Sequence, residues 1–195
     1  MKLNKSLLAL MAALALGNTA VHAADGTITF NGVVTASACT AITSVTADSV
    51  ATGSPINATL TLPNVTATTL NAAAGTYAGQ TPFSIQLAGC EATAALNNVR
   101  AVFTSSSSPA GDAYVMANVA GTSPAADVAV AIMQPNGITQ IDLNGGPAKD
   151  PGLALPPIGS AAPLTLNYKA AYKSLSTSVT AGNVQGVADF VISYF

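Results

Sequence analysis

The chain has 195 residues, half of them hydrophobic and only 7% charged, with six Lys and Arg, eight Asp and Glu, one His and no Trp. A formal charge of −2 with no basic cluster excludes a protein that neutralises a row of phosphates, so nucleic acid is not an expected partner. Charged residues fall far short of the quarter typical of globular domains, so solubility rests on neutral Thr, Ser and Asn side chains and the surface is expected to be bland.

At the N-terminus, Lys2 and Lys5 precede the apolar run "LLALMAALAL", which is too short to span a bilayer, and "VHA" sets small residues before a cut after Ala23. Residues 1–23 therefore read as a signal peptide, and the protein is expected to be exported. Its removal takes away Lys2, Lys5 and His22, leaving four bases against eight acids, a formal charge of −4 and no histidine. The 172 residues that remain suit one domain with a real core.

The next stretch, "ADGTITFNGVV" from Ala24, alternates Ile28, Phe30 and Val34 with polar residues, as a half-buried strand does. No hairpin turn follows to give it a local partner. The same period of two recurs at Ile56, Ala58, Leu60 and Leu62, at Phe83, Ile85 and Leu87, at Val99, Ala101 and Phe103, and at Val128, Val130 and Ile132. Leu164, Leu166, Tyr168 and Tyr172 continue it. Between these runs lie turn-forming stretches such as "TGSP", "SSSSPAGD" and "QPNG". One helical turn near "CEATAAL" is the only α element expected. The Gly- and Pro-rich stretch 145–163 reads as a long loop inside one domain, because the residues after it cannot form a core of their own. Many short strands with almost no helix argue a β-sandwich.

Cys39 and Cys90 are the only cysteines. An exported chain without histidine has little use for two thiolate metal ligands, so a Cys39–Cys90 disulfide is expected. Neither a catalytic site nor a cofactor or metal site can be assembled from what remains: Glu91 is the lone glutamate, the aspartates sit in polar turns, and no Gly-rich phosphate loop or nucleophile elbow is present. The chain is read as a non-enzyme.

The last residues, "TAGNVQGVADFVISYF", place Ala188, Phe190, Ile192 and Tyr194 on one face of a strand and Val187, Val191 and Phe195 on the other. Both faces are largely apolar, which suggests a strand buried on both sides, yet no later segment is there to cover its second edge.

Taken in order, the signal segment, "GTITFNG", Cys39, the stretch "LPNVTATTLNAAAGTYAGQTPFSIQLAGC" ending at Cys90, and the C-terminal strand with Gly182 fourteenth from the end and penultimate Tyr194 resemble the type 1 fimbrial pilins. These are subunits of pili built by the chaperone-usher pathway, and the resemblance covers essentially the whole mature chain. It implies an all-β fold, an incomplete immunoglobulin-like β-sandwich lacking its last strand, completed by a donor strand from a neighbouring subunit. Residues 24–32 would be the donor extension, with Gly26, Ile28 and Phe30 filling the groove, and 33–195 the pilin domain. Gly182, Ala188, Phe190, Ile192, Tyr194 and Phe195 would form the strand that borders the groove and that a periplasmic chaperone holds before an outer-membrane usher passes the subunit on. The partners implied are identical or related pilin subunits, joined head to tail in an extracellular fimbrium on a Gram-negative cell and used in adhesion. A minor or tip-proximal subunit and a carbohydrate-binding adhesin domain are the alternatives, although the chain is too short for a separate lectin domain ahead of the pilin domain.

Overall fold

The computed structural model describes residues 38–195. The expected signal segment and the strand with Gly26, Ile28 and Phe30 lie outside them. In chain order the elements are β1 (Ala41–Thr46), β2 (Val50–Ala51), α1 (Ala67–Leu70), β3 (Tyr77–Cys90), β4 (Asn98–Thr104), β5 (Met116–Ala117), β6 (Val128–Met133), β7 (Gln140–Ile141), β8 (Leu153–Ala154), β9 (Ala162–Ser174) and β10 (Asp189–Tyr194). The larger sheet has the order β2-β1-β3-β9-β6-β5, with β7 also on β6, and the smaller one the order β10-β4-β8. Every strand pair in them is antiparallel.

The period of two in the sequence becomes the inner face of each sheet. Ile85 and Leu87 on β3 stand opposite Leu166 and Leu164 on β9, and Val99, Ala101 and Phe103 of β4 share their core cluster. Ile85, Leu87, Val99 and Leu166 are almost wholly buried. Phe83, Phe103 and Tyr168 form an aromatic group at its centre, with Phe103 and Tyr168 edge to face at 5.1 Å. Strand β6 is buried on both faces. Its outward Ala129, Ala131 and Met133 join Val115 and Ala171 in a second small cluster. Lys173 on β9 helps hold the loop over that cluster, its ammonium 2.7 Å from Asp112 and 2.8 Å from Gln140.

Three local readings are corrected. In the run Ile56–Leu62, Ile56, Leu60 and Leu62 are half-buried but Ala58 is exposed, and the run joins no ladder among the described residues. Its hydrogen bonds go instead to residue 48, from the Asp48 N–H to the Thr59 carbonyl and from the Thr61 N–H to the Asp48 carboxylate. The Thr61 hydroxyl, followed by its N–H, holds that carboxyl below its usual pKa. No helix forms at "CEATAAL", where the Thr93 hydroxyl accepts from the Ala95 and Leu96 N–H groups and diverts the backbone into a turn. The one helical turn among the described residues is α1, capped by Thr66, whose hydroxyl accepts from the Thr69 N–H. Finally, 145–163 is not structureless. Gly152, at φ +73°, turns the chain so that β8 pairs with β4.

Beyond β8 the same edge of β4 is closed by single residues rather than by a strand. The Tyr168 hydroxyl accepts from the Ala101 N–H at 3.2 Å and donates to the Asp150 carboxylate at 2.6 Å. Asn144 serves the next groups, donating its N–H to the Phe103 carbonyl and accepting from the Ser105 N–H. Burial foremost, and then the Asp150 carboxylate, push the Tyr168 hydroxyl far above its ordinary pKa. The disulfide joins Cys39 to Cys90 across a sequence separation of 51 residues, tying the chain just before β1 to the end of β3.

Two measurements check this account. Closing a loop of that length contributes about 4 kcal/mol on the chain-entropy model, so replacing both cysteines with Ser should lower denaturant stability by about that amount and leave little folded protein in a periplasmic extract. The folded pKa of Tyr168 lies above the unfolded value near 10, so its contribution is complete below about pH 10 and declines as the pH rises past it. Alkaline titration should therefore show unfolding that sets in near pH 10. Tyr168→Phe should flatten that profile and cost about 1–3 kcal/mol at neutral pH, because Asp150 and the Ala101 N–H lose their shared partner.

Candidate functional site

Strand β10 has one neighbour. Its ladder on β4 pairs Asp189 with Thr104 through to Tyr194 with Val99, and Phe195 extends it by exchanging two hydrogen bonds with Asn98. Antiparallel pairing alternates hydrogen-bonded and non-bonded residue pairs. Counting back from the Phe195–Asn98 pair, the backbone groups of Phe190 and Ile192 therefore point away from β4, to an edge on which no strand lies among the described residues. Such an edge is a template for a further strand.

Beside this edge the core is not fully closed. Ala188, Phe190, Ile192 and Tyr194 pack on the main cluster but remain half-buried, and so do Ile56, Leu60 and Leu62. The Phe190 ring lies 6.4 Å from Phe103, at the margin of the aromatic group. The 56–65 segment is thus a second edge without a ladder partner among the described residues, with Ile56, Leu60 and Leu62 set against the same core as β10. Where the two edges reach residues 64–65 and 182–184, a cleft of about 220 Å³ opens between Asn64 and Val65 on one side and Gly182 and Val184 on the other, over Leu70 and Tyr172.

The residues singled out in the C-terminal sequence fall into four groups. Ala188, Phe190, Ile192 and Tyr194 share the inner face. Val187 and Val191 face outward and are 51% and 62% exposed, so the expectation of a strand buried on both sides is corrected, since the smaller sheet carries no third layer over that face among the described residues. Gly182 lies upstream of the ladder, pressed on the backbone of 123–125, where a β-carbon would stand 2.5 Å from the Ala125 nitrogen and 2.6 Å from the Ser123 oxygen. Next to it, Asn183 forms a parallel bridge with Pro124. Phe195 packs its ring 4.5 Å from the Arg100 guanidinium. Arg100 escaped the sequence reading because an isolated Arg in an alternating run carries no local signal of its partner.

The site is nearly without charge. No group of three His, Cys, Asp or Glu side chains among the described residues could hold a metal. Paired half-buried apolar side chains and outward-pointing backbone groups are the ingredients for binding an extended peptide by strand addition.

Comparison with known proteins agrees with this architecture. The family model described as "Fimbrial protein" matches residues 28–195. The F17 fimbrial protein of Escherichia coli is 34% identical over 184 residues, covering 92% of this chain and 93% of its own. The major fimbrial subunit SMF-1 of Stenotrophomonas maltophilia is 31% identical over 182 residues, covering 93% and 99%. A chain from the structure of a chaperone-usher pilus superposes with a TM-score of 0.56 at 20% identity, covering 88% of this chain and 96% of that one, and gives the fold as immunoglobulin-like. The chain belongs to the fimbrial protein family.

Proposed function

We propose that this chain is a structural pilin subunit that polymerises by donor-strand complementation. The observation that carries the reading is the pair of extended edges, 56–65 and β10, that flank one incompletely closed core. An inserted strand would bond to the outward backbone groups of Phe190 and Ile192 and cover the half-buried side chains on both sides. The donor is the N-terminal extension 24–32, with Ile28 and Phe30 entering the core and Gly26 lying where a second backbone comes close. A donor at one end and an acceptor at the other make a heterologous contact that does not close, so repetition yields a fibre.

On this reading residues 1–23 direct export to the periplasm. There a chaperone occupies β10 and holds Phe190, Ile192, Tyr194 and the terminal Phe195, and an outer-membrane usher then exchanges it for the next subunit's extension. The product is an extracellular fimbrium of a Gram-negative cell that serves adhesion. The work is done by packing and backbone pairing rather than by catalysis.

The test is to delete 24–32 and append "ADGTITFNG" after Phe195 through a linker of about four residues, short enough to favour antiparallel pairing with β10. The donor's effective concentration is then about millimolar, and the product should be a monomer that melts well above the simple deletion and does not join fibres. No gain in melting temperature over the deletion would refute the reading, as would polymerisation of the deletion itself. In the wild-type background, Ile192→Asp would set an unpaired carboxylate in the acceptor core, and chaperone co-purification and fibre formation should both be lost.

A further inference from the structure

Resting on the acceptor reading of β10, we infer that Arg100 and Gly152 clamp the Phe195 ring and so set the register of β10 on β4, determining where along the slot each inner-face side chain stands.

The need for such a device is visible in the strand itself. Register is fixed where a slip would carry apolar residues out of the core. On β10 a two-residue slip does not do that, because Ala188, Phe190, Ile192 and Tyr194 are all apolar and all on one face. Among the described residues the strand also has a ladder on one edge only. Upstream, Gln185 is held by Val119 and Asn118 at 2.8 and 3.0 Å, and between it and β10 residues 186–188 join no ladder among the described residues, with one bond from the Ser105 hydroxyl to the Val187 carbonyl at 3.1 Å. The side-chain pattern of β10 by itself therefore permits several phases, and contacts at its ends select one.

The downstream end is tightly built. The Phe195 carbonyl accepts from the Asn97 and Asn98 N–H groups, and the Phe195 N–H donates to the Asn98 carbonyl. On one side of the ring the Arg100 carbon Cζ lies 4.5 Å from the centroid, a cation–π contact. On another, the ring meets Gly152 so closely that a β-carbon there would stand 3.1 Å from its Cζ, while also standing 2.6 Å from the Val99 carbonyl oxygen. No side chain fits between ring and strand at this position.

Both walls are fastened to the core. The Asp150 carboxylate, bound to the Tyr168 hydroxyl, accepts from the Gly152 N–H at 2.9 Å. The Arg100 guanidinium reaches the Asp150 carbonyl at 3.5 Å. Its Nε is buried without a hydrogen-bond partner, so the group is held here with its polar needs only partly met. The arrangement trades a hydrogen bond for an aromatic contact, and only an aromatic ring at the end of β10 completes it.

The experiment is nuclear magnetic resonance on the full mature chain, reading cross-strand Hα–Hα contacts of Ile192, together with binding of a synthetic "ADGTITFNG" peptide. Wild type should show the Ile192–Ala101 contact alone. Arg100→Gln and Phe195→Ala should add contacts from Ile192 to Val99 or Phe103 in about a tenth or more of the molecules, with peptide affinity lowered in proportion to the fraction that has left the wild-type register. Phe195→Tyr should keep the wild-type register. If Phe195→Ala does not fold, Phe195→Leu, which keeps apolar bulk without a ring quadrupole, should show the shifted contacts. Retention of the Ile192–Ala101 contact alone in Arg100→Gln and in the folded Phe195 variant overturns the clamp, whatever their melting temperatures. Failure of wild type to bind the peptide overturns the acceptor reading instead, and the register contacts still decide the clamp.

Discussion

A hydrophobic core must be covered on every side, and the backbone groups at a sheet edge must find partners or face water. In this chain both demands meet at β10, which has β4 on one side and no strand on the other among the described residues. The rest of the molecule is arranged around that fact. The large sheet supplies a floor of Ile85, Leu87, Leu166 and Tyr168 that is closed almost to solvent exclusion, whereas the side chains nearest the missing neighbour stay half-buried. The contrast localises the incompleteness to one strip instead of spreading it as loose packing.

The opposite edge of the small sheet shows how this confinement is achieved. Strand β4 pairs with β8 for only two residues. Past that point its backbone groups are met by Tyr168 and Asn144, not by another strand. The Tyr168 hydroxyl and the backbone N–H and side-chain amide of Asn144 each satisfy one group and offer no row of further donors and acceptors, so the edge they close is a poor template for a further strand. Of the two edges of the smaller sheet, one is capped residue by residue and the other is left open. An edge left open by default would not be accompanied by such attention to its counterpart.

Much of the fold was legible because β-structure writes its burial into the sequence with a period of two. Phe83, Ile85 and Leu87, and likewise Val99, Ala101 and Phe103, lie on strands whose inner face is the one their alternation indicates. The two cysteines were legible for a different reason, the absence of competing ligands. Alternation reports which side chains face the core and is silent on whether a neighbouring strand exists. That is why Ile56, Leu60 and Leu62 show strand periodicity while their backbone is tied to Asp48. It is also why both faces of the last strand read as buried, since Val187 and Val191 are as apolar as residues covered by another layer. Long-range partners of single residues are equally invisible. Tyr168 with Asp150, and Arg100 with Phe195, are brought together only by the fold.

The position of the disulfide gives the molecule a defined load path. A pull on the chain ahead of Cys39 reaches the end of β3 through the sulfur–sulfur bond to Cys90, in parallel with the rungs between β1 and β3. Strand β3 is the longest, with 14 residues, and its ladder to the 13-residue β9 runs for most of that length. Tension entering at the end of β3 and directed along it is resisted by the rungs of that ladder in parallel, as shear, rather than one rung at a time, as peeling. The crosslink therefore does more than shorten the unfolded chain: it gives a pull on the chain ahead of β1 a covalent route to the longest ladder of the sandwich.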